Sequence, residues 1–240
     1  GMTGVQNELV CDGKGFRAFD VTQLPHPAWA LSVFGATGLT AYFGLKEIGQ
    51  PKAGETVVVS AAAGAVGSTV VQMARNYGCR VIGIAGGPDK CAWVRDQLGA
   101  HEVIDYKHEK VAKRLAETCP DGIDVYFDNV GGEILDAVLR RLKLRARIVR
   151  CGGISQYNAT GVAVGPANSL SLIAARARLE GVVVIDYLDR AAEAIAEFGP
   201  WAAAGKMTSR IDEVVGLEHF AEALRRLYTG ANFGKQVVKV

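Results

Sequence analysis

The sequence predicts an α/β protein built on a doubly wound, parallel, six-stranded sheet, with remnants of a second, β-rich domain at both ends. Three observations predict this fold. Short apolar runs alternate with segments of helical period, a turn of small residues joins the first such pair, and the two ends of the chain break the alternation. Strands that are apolar on both faces are typical of a parallel sheet covered by helices on both sides.

The alternation begins at residue 56. The strand-like runs are, in order, TVVVS, RVIGIA, EVIDY, DVYFDNV, ARIVRCG and GVVVID. The segments of helical period are VGSTVVQMARNYG, PDKCAWVRDQLG, EKVAKRLAETC, GEILDAVLRRL and AAEAIAEFGPWAAAG. Pro88 suits the first turn of a helix, and Gly78 and Gly99 come where glycine commonly ends one. We therefore expect one α/β domain over 36–210.

The two ends have a different character. Residues 1–35 hold a few alternating apolar positions and turn residues, whereas 211–240 read as strand, helix, glycine-containing turn and terminal strand. Neither end continues the alternation of strand and helix. We therefore expect both to be pieces of a second, smaller domain.

The composition excludes several classes of function. Hydrophobic residues make up 49% and charged residues 22% of the 240, and the net charge of +2 gives no electrostatic case for binding nucleic acid or an anionic membrane. The apolar runs are too short to cross a membrane. The 5 cysteines, at positions 11, 79, 91, 119 and 151, form no CxxC pair, and with the 4 histidines they lack the spacing of metal ligands. We expect a cytoplasmic protein with reduced thiols and no metal.

The turn after the first strand predicts a dinucleotide site. Residues 62–67 read A-A-G-A-V-G, which fits the Rossmann pattern G-x-G-x-x-G with alanine in place of the first glycine. Gly64 would let the backbone approach a pyrophosphate, and Gly67 would let the helix pack close to the strand. The alternative is a tight turn without a ligand. The strand before the turn and the helix after it favour the dinucleotide.

The end of the second strand favours NADP over NAD. NAD sites commonly place Asp or Glu there to bind the ribose 2′-hydroxyl, but this strand runs into Gly86-Gly87-Pro88-Asp89-Lys90. A missing carboxylate removes repulsion against a 2′-phosphate, and Lys90 would attract it. A lysine in solvent at a helix start is an equal alternative for Lys90.

Six separated motifs together resemble one enzyme family. They are GLTAYFGL, ETVVVSAAAGAVGS, GGPDK, DGIDVYFDNVGGE, CGGISQYN and NFGKQVVKV. In this order they are similar to the zinc-independent medium-chain dehydrogenases/reductases of the prostaglandin reductase / leukotriene B4 12-hydroxydehydrogenase group, which includes enone, 2-alkenal and curcumin reductases. The resemblance implies NADPH-dependent reduction of a C=C bond conjugated to a carbonyl. It also implies that most of an N-terminal GroES-like domain is missing, with 1–35 and 211–240 as its remnants. We therefore expect this chain to bind the cofactor but to turn over enones poorly or not at all.

The resemblance further implies which residues would contact NADPH. Lys90 and Tyr106 would hold the 2′-phosphate, the loop 151–157 would wrap the nicotinamide half, and 182–184 would lie along the carboxamide. An asparagine after the fourth strand would lie near the ribose, and another in the C-terminal segment would close over the cofactor. The full set is Gly64, Ala65, Val66, Gly67, Lys90, Tyr106, Asn129, Cys151, Gly152, Ile154, Ser155, Tyr157, Val182, Val183, Val184 and Asn232.

The chemistry leaves alternatives open. Reduction of an enone puts negative charge on the carbonyl oxygen, so the site must position the substrate and supply a hydrogen-bond donor. Tyr157 is the candidate catalytic residue, with contact to the cofactor as an equal alternative, and Cys151 is expected to be a small buried residue rather than a nucleophile. A non-catalytic NADPH-binding module and a quinone reductase are the competing functions. The expected partners are an enone or quinone and a second copy of the chain, paired through an apolar sheet edge at 181–185.

Overall fold

The sheet has the predicted order. The computed structural model describes residues 6, 8–10, 12, 19–158, 160–162 and 164–240. Among these, six parallel strands form one sheet: β1 (Thr56–Ser60), β2 (Arg80–Ala85), β3 (Glu102–Asp105), β4 (Ile123–Asp128), β5 (Leu142–Arg150) and β6 (Arg178–Gly181). They lie side by side in the order β3-β2-β1-β4-β5-β6. The chain starts in the middle, winds to one edge and then to the other, which confirms the doubly wound Rossmann fold.

Helices cover both faces of this sheet. They are α1 (Ala36–Phe43), α2 (Ala65–Asn76), α3 (Pro88–Asp96), α4 (Val111–Thr118), α5 (Gly132–Leu139), α6 (Ser171–Ala175) and α7 (Ala191–Ala203). A further helix, α8 (Phe220–Thr229), belongs to the C-terminal segment. Alternate side chains of β1 enter different cores: Val57 and Val59 pack beneath α1, α2 and α7, whereas Val58 packs on the side of α4 and α5. Burial on both faces explains why β1 carries no polar residue before Ser60, apart from Thr56 at its start.

The C-terminal segment forms a separate pair of strands. β7 (Ile211–Val215) and β8 (Lys235–Lys239) are parallel and are joined by α8. The predicted sequence of strand, helix, turn and strand is therefore confirmed, while its assignment to a second domain stays a prediction. At the other end, Trp29 and Phe34 pack into the core beneath α1. Residues 1–5, 7, 11 and 13–18, Cys11 among them, lie outside the described residues.

The last strand of the sheet differs from the predicted one. The run GVVVID predicts a strand over 181–186, but β6 covers Arg178–Gly181, and the chain turns into a 3₁₀-helix at Val184–Arg190. Val182 is 7% exposed and enters the core, whereas Val183 is 56% exposed. The prediction of an apolar sheet edge at 181–185 is wrong, because the edge strand has the sequence RLEG with every residue exposed.

Candidate dinucleotide site

The glycine turn lies where the winding of the sheet reverses. It follows β1, whose neighbours are β2 on one side and β4 on the other. Parallel sheets of this order bind their ligands at the carboxyl ends of the strands beside this point. Gly64 caps α2 with extended backbone and has no side chain to occupy the first turn. The backbone N–H groups of that turn therefore face the space above the sheet, where an anion would be stabilised by the helix dipole.

The spacing of the turn requires glycine at one position above all. A Cβ on Gly67 would lie 2.2 Å from the carbonyl oxygen of Ala61, far inside van der Waals contact. Ala61 itself has φ 48°, so the chain reverses there in the left-handed conformation. Ala62, which replaces the first glycine of the pattern, is fully buried. The turn thus keeps the close approach of α2 to β1 without the first glycine.

The C-terminal segment covers this turn. The N–H of Gly234 donates to Ala63 O at 3.0 Å, and Gly234 pairs with Gly64 as an isolated bridge. The ring of Phe233 holds the segment in place, since the guanidinium of Arg210 lies 3.9 Å from its centroid and the indole of Trp93 meets it edge-on at 5.3 Å.

Asn232, the predicted cofactor contact in this segment, lies beside the covered turn. Its side-chain amide donates to Gly234 O at 3.1 Å. Asn232 thus contacts the residue that pairs with the glycine turn, and its closing over the cofactor stays a prediction.

Lys90 and Tyr106, the residues expected at the 2′-phosphate, lie near the ends of β2 and β3. A Cβ on Gly86 would lie 2.6 Å from the ring of Tyr106, so the glycine leaves room for that ring. Lys90 is half-buried and donates from Nζ to Gly230 O at 2.7 Å, so the alternative of a lysine free in solvent is wrong. Burial and the nearby charge of Lys107 lower the pKa of Lys90. An ammonium has three N–H donors, so donors remain for an anion.

Asp105 holds the backbone on both sides of Lys90 and Tyr106 and was missed by the sequence analysis. Its carboxylate accepts from the N–H of Gly87 at 2.9 Å, the N–H of Lys107 at 3.0 Å and Nδ1 of His108 at 2.7 Å. Burial alone would raise the pKa of Asp105, but these hydrogen bonds lower it below the ordinary value. The Asp105 carboxylate therefore faces the backbone of Gly87 and Lys107. The available signal was an Asp directly before Tyr106 at a strand end.

A buried ion pair lies where β4 and β5 end, and it too was missed. Asp128 is 0% exposed, and one of its oxygens accepts from the hydroxyl of Tyr126 at 2.8 Å and from the N–H groups of Val130 and Gly131 at 3.0 and 2.8 Å. Its other oxygen accepts from Nη1 of Arg150. The available signal was a charged residue at the end of each of two apolar runs, DVYFD and ARIVR.

Asn129 ties this region to the glycine turn. Its N–H donates to Ser60 Oγ at 2.9 Å and its side-chain amide donates to Ser60 O at 2.7 Å. Ser60 is the last residue of β1, so Asn129 joins the ends of the two central strands. The expected contact of Asn129 with the cofactor near the ribose stays a prediction.

The loop 151–157 folds back onto the loop after β4. The N–H groups of Cys151 and Gly152 donate to Asp128 O at 2.9 and 3.1 Å, and Ser155 Oγ donates to Val130 O at 2.6 Å. Ile154 donates through its N–H to Asn129 O at 3.3 Å. Backbone and short side chains thus hold the two loops together at the carboxyl edge of the sheet.

Tyr157 and Cys151 differ in accessibility. Tyr157 is 60% exposed, and its hydroxyl oxygen accepts from the N–H of Gly153 at 3.1 Å. Burial raises the pKa of the Cys151 thiol to about 12, with the charge of Asp128 adding to the effect. A protonated thiol is a poor nucleophile, which agrees with the expected role of Cys151 as a small packing residue.

The valines at 182–184 do not share one surface. Val182 is buried and donates its N–H to Arg150 O at 3.1 Å, and Val184 packs against the core, whereas the side chain of Val183 is exposed. Val183 therefore lies outside the core that its two neighbours join, and the expected contact of 182–184 with the carboxamide stays a prediction. The change of direction at the end of β6 explains the difference.

Two further findings concern metals and membranes. Among the residues that the structure describes, no group of three or more His, Cys, Asp or Glu could hold a metal ion. Within the same residues, no helix is both long and apolar enough to cross a bilayer. Independence of zinc stays a prediction.

The fold and the site define a nucleotide-binding domain of the medium-chain dehydrogenase/reductase class. A family model described as zinc-binding dehydrogenase matches residues 65–204, which is more than half of the chain. The chain belongs to this family.

The known relatives agree with the resemblance drawn from the motifs. NADPH-dependent curcumin reductase of Escherichia coli is 44% identical over 90% of this chain and 64% of its own length. Prostaglandin reductase 1 of Mus musculus is 41% identical over 99% of this chain and 73% of its own length. The crystal structure of CurA from Vibrio vulnificus in complex with NADPH is 48% identical and superimposes with a TM-score of 0.86, covering 91% of this chain and 66% of that one. The chain therefore spans about two thirds of these relatives, and the resemblance to the prostaglandin reductase group is confirmed.

Proposed function

We propose that this chain binds NADPH and belongs to an oxidoreductase that reduces the C=C bond of α,β-unsaturated ketones or aldehydes. The group of Gly86, Lys90 and Tyr106 near the ends of β2 and β3 carries the proposal. Gly86 stands where an NAD site has a carboxylate, the ring of Tyr106 lies against it, and Lys90 supplies a half-buried cation. Relatives named curcumin reductase and 2-alkenal reductase are 44% and 45% identical to the chain, and their names include NADPH or NADP⁺.

The residues present fit the cofactor in three places. Gly64 puts no side chain over the first turn of α2, and Gly67 lets α2 pack close to β1, which together suit a pyrophosphate at that turn. Lys90 keeps donors for a 2′-phosphate, and the loop 151–157 offers a backbone surface for the nicotinamide half. The bound cofactor would supply the hydride.

The remaining chemistry falls to the protein. Negative charge develops on the carbonyl oxygen of the substrate, and a donor placed there stabilises it. The hydroxyl oxygen of Tyr157 already accepts from Gly153, so its own proton is left for another acceptor. Tyr157 is therefore the donor in this proposal, and contact with the cofactor alone is the alternative role.

The test separates binding from turnover. Binding of NADPH is followed by titration, and turnover by loss of its absorbance with a panel of 2-alkenals, cyclic enones and quinones. The proposal expects tighter binding of NADPH than of NADH and enone-dependent oxidation that exceeds quinone-dependent oxidation. A preference for quinones would instead identify a quinone reductase, and tight binding with no oxidation by any member of the panel would favour a non-catalytic NADPH-binding module.

The proposal extends to assembly and location. One side of β6 pairs with β5, and in the described part of the chain no strand pairs with its other side. Such an edge suits pairing with a second copy, so we propose a homodimer. The four described cysteines are unpaired thiols, which suits a cytoplasmic protein, and the proposal includes activity without zinc. Light scattering that gives a monomer at micromolar concentration would contradict the dimer, and stoichiometric zinc in chelator-washed protein would contradict metal independence.

A further inference from the structure

Arg150 lies between the two loops that would flank the nicotinamide half. It is the last residue of β5, and its side chain is 26% exposed. A Cβ on Gly131 would lie 2.6 Å from its Nη2 atom, and a Cβ on Gly153 would lie 3.1 Å from the same atom. The guanidinium is thus packed directly against the backbone of both loops, in a space that exists because both positions are glycine.

The partner of Arg150 controls the backbone of the same loops. The carboxylate of Asp128 accepts from the N–H groups of Val130 and Gly131, and its main-chain oxygen accepts from those of Cys151 and Gly152. A carboxylate with no exposure is costly unless a cation and hydrogen bonds compensate for lost solvation. Within the described residues, Arg150 is the cation that forms an ion pair with it. The geometry of both loops therefore depends on this pair.

The adenosine half of the site is independent of the pair. Lys90 and Tyr106 belong to the ends of β2 and β3, on the other side of β1 from β4 and β5. Their contacts run to Gly86 and Gly230 rather than to either loop. A change at Arg150 should therefore act on one half of the cofactor alone.

We propose that Arg150 is a positioning residue, which holds the loops 129–131 and 151–157 in the conformation that receives the nicotinamide half of NADPH. It acts through Asp128 and through its packing against Gly131 and Gly153. This inference rests on the proposed function, because it takes NADPH as the ligand. The ligand 2′,5′-ADP provides the comparison, since it carries the 2′-phosphate and lacks the nicotinamide.

The experiment measures dissociation constants of NADPH and 2′,5′-ADP for the wild type and three variants. Arg150→Met removes the charge and keeps an unbranched side chain, and it should weaken NADPH roughly tenfold, as expected when about one residue must be ordered on binding. The affinity for 2′,5′-ADP should not change. Arg150→Lys keeps a positive charge toward Asp128 but lacks the Nη2 atom that packs against Gly131 and Gly153. Its affinity for NADPH should lie between those of the wild type and Arg150→Met.

Arg147→Met is the matched control. Arg147 is on the same strand and also pairs with a carboxylate, but its contacts run to Glu55 and to the carbonyl oxygens of Gly49 and Gln50, at the end of the sheet away from the site. Both affinities should remain at the wild-type value in this variant. Fluorescence of bound NADPH reports the environment of the nicotinamide directly, and it should change in the Arg150 variants alone.

Two results would overturn the inference. Equal weakening of NADPH and 2′,5′-ADP in an Arg150 variant would show a general structural role, and unchanged NADPH affinity would show no role in positioning. If Arg150→Met does not fold, the ratio of the two affinities in Arg150→Lys decides. Weak or absent binding of both 2′,5′-ADP and NADPH by the wild type would refute the proposed function itself. That outcome concerns the wild type and is distinct from the two outcomes in the Arg150 variants.

Discussion

Replacing Lys90 by methionine removes the proposed cation for the 2′-phosphate and keeps most of the side-chain volume. The hydrogen bond from Nζ to Gly230 O is also lost, so part of the effect belongs to the protein and not to the phosphate. That part is common to NADPH and NADH and cancels in the ratio of their affinities. A hydrogen bond to a charged group contributes about 1.5–3 kcal/mol. The preference for NADPH over NADH should therefore fall roughly 10- to 150-fold.

The assay is titration of both nucleotides against wild type, Lys90→Met and a control. Lys113→Met is a suitable control, because Lys113 is 75% exposed and its ion pair with Glu117 is long, at 3.8 Å. The control should keep the wild-type ratio. A wild type with equal affinities, or a Lys90→Met variant with an unchanged ratio, would refute the assignment of Lys90 to the 2′-phosphate.

The same lysine predicts a pH dependence. Burial and the charge of Lys107 lower the pKa of Lys90, so its ammonium loses the proton at a lower pH than an ordinary lysine does. The cation attracts the phosphate only below that pKa, so the affinity for NADPH should fall as the pH rises through it. The affinity for NADH should stay constant over the same range, and a parallel fall of both would contradict this explanation.

Three further predictions concern the turn, the thiol and the tyrosine. Gly67→Ala should lower the free energy of unfolding by about 1–3 kcal/mol in denaturant titration, because its Cβ would lie 2.2 Å from Ala61 O. A Cβ on Gly199 would meet no atom within 4 Å, so Gly199→Ala should leave the free energy of unfolding undiminished. Cys151 should react with iodoacetamide at neutral pH far more slowly than in denatured protein, since burial raises its pKa to about 12, and equal rates by peptide mass spectrometry would contradict this. Tyr157→Phe should lower kcat for an enone roughly 100-fold with unchanged NADPH affinity. Weaker NADPH binding with unchanged kcat would instead assign Tyr157 to cofactor contact.

The central strands could be predicted because burial leaves a strong mark on them. β1 and β2 coincide with the predicted runs TVVVS and RVIGIA, since both strands are covered by helices on each face. β6 could not be predicted in this way, because an exposed edge strand with the sequence RLEG carries no apolar signal. The more apolar run that follows it leaves the sheet after Gly181, and only Val182 and Val184 of that run pack inward.

The site could be predicted where a short motif holds the information. The glycine turn lies within one strand-turn-helix unit. The residues that shape it are therefore close together in the sequence, and a short motif is enough to find them. The ion pair of Asp128 and Arg150 depends instead on the register of β4 against β5, which places these two residues opposite each other. The contact of Lys90 with Gly230 likewise joins α3 to the end of α8. Such pairings follow from tertiary structure and leave no pattern in either segment alone.

The hydrogen bond from Gly234 N–H to Ala63 O has a consequence for the order in which the chain folds. During synthesis, the glycine turn and Lys90 leave the ribosome long before Gly230, Phe233 and Gly234 exist. The first layer of the domain can therefore assemble around β1 and β2 while the site is still uncovered, and closure must await a contact between distant parts of the sequence, which is entropically expensive. We therefore expect the nascent chain to bind the cofactor late, after the segment that follows β7 has packed over the glycine turn. Tight binding would then indicate that this segment is in place.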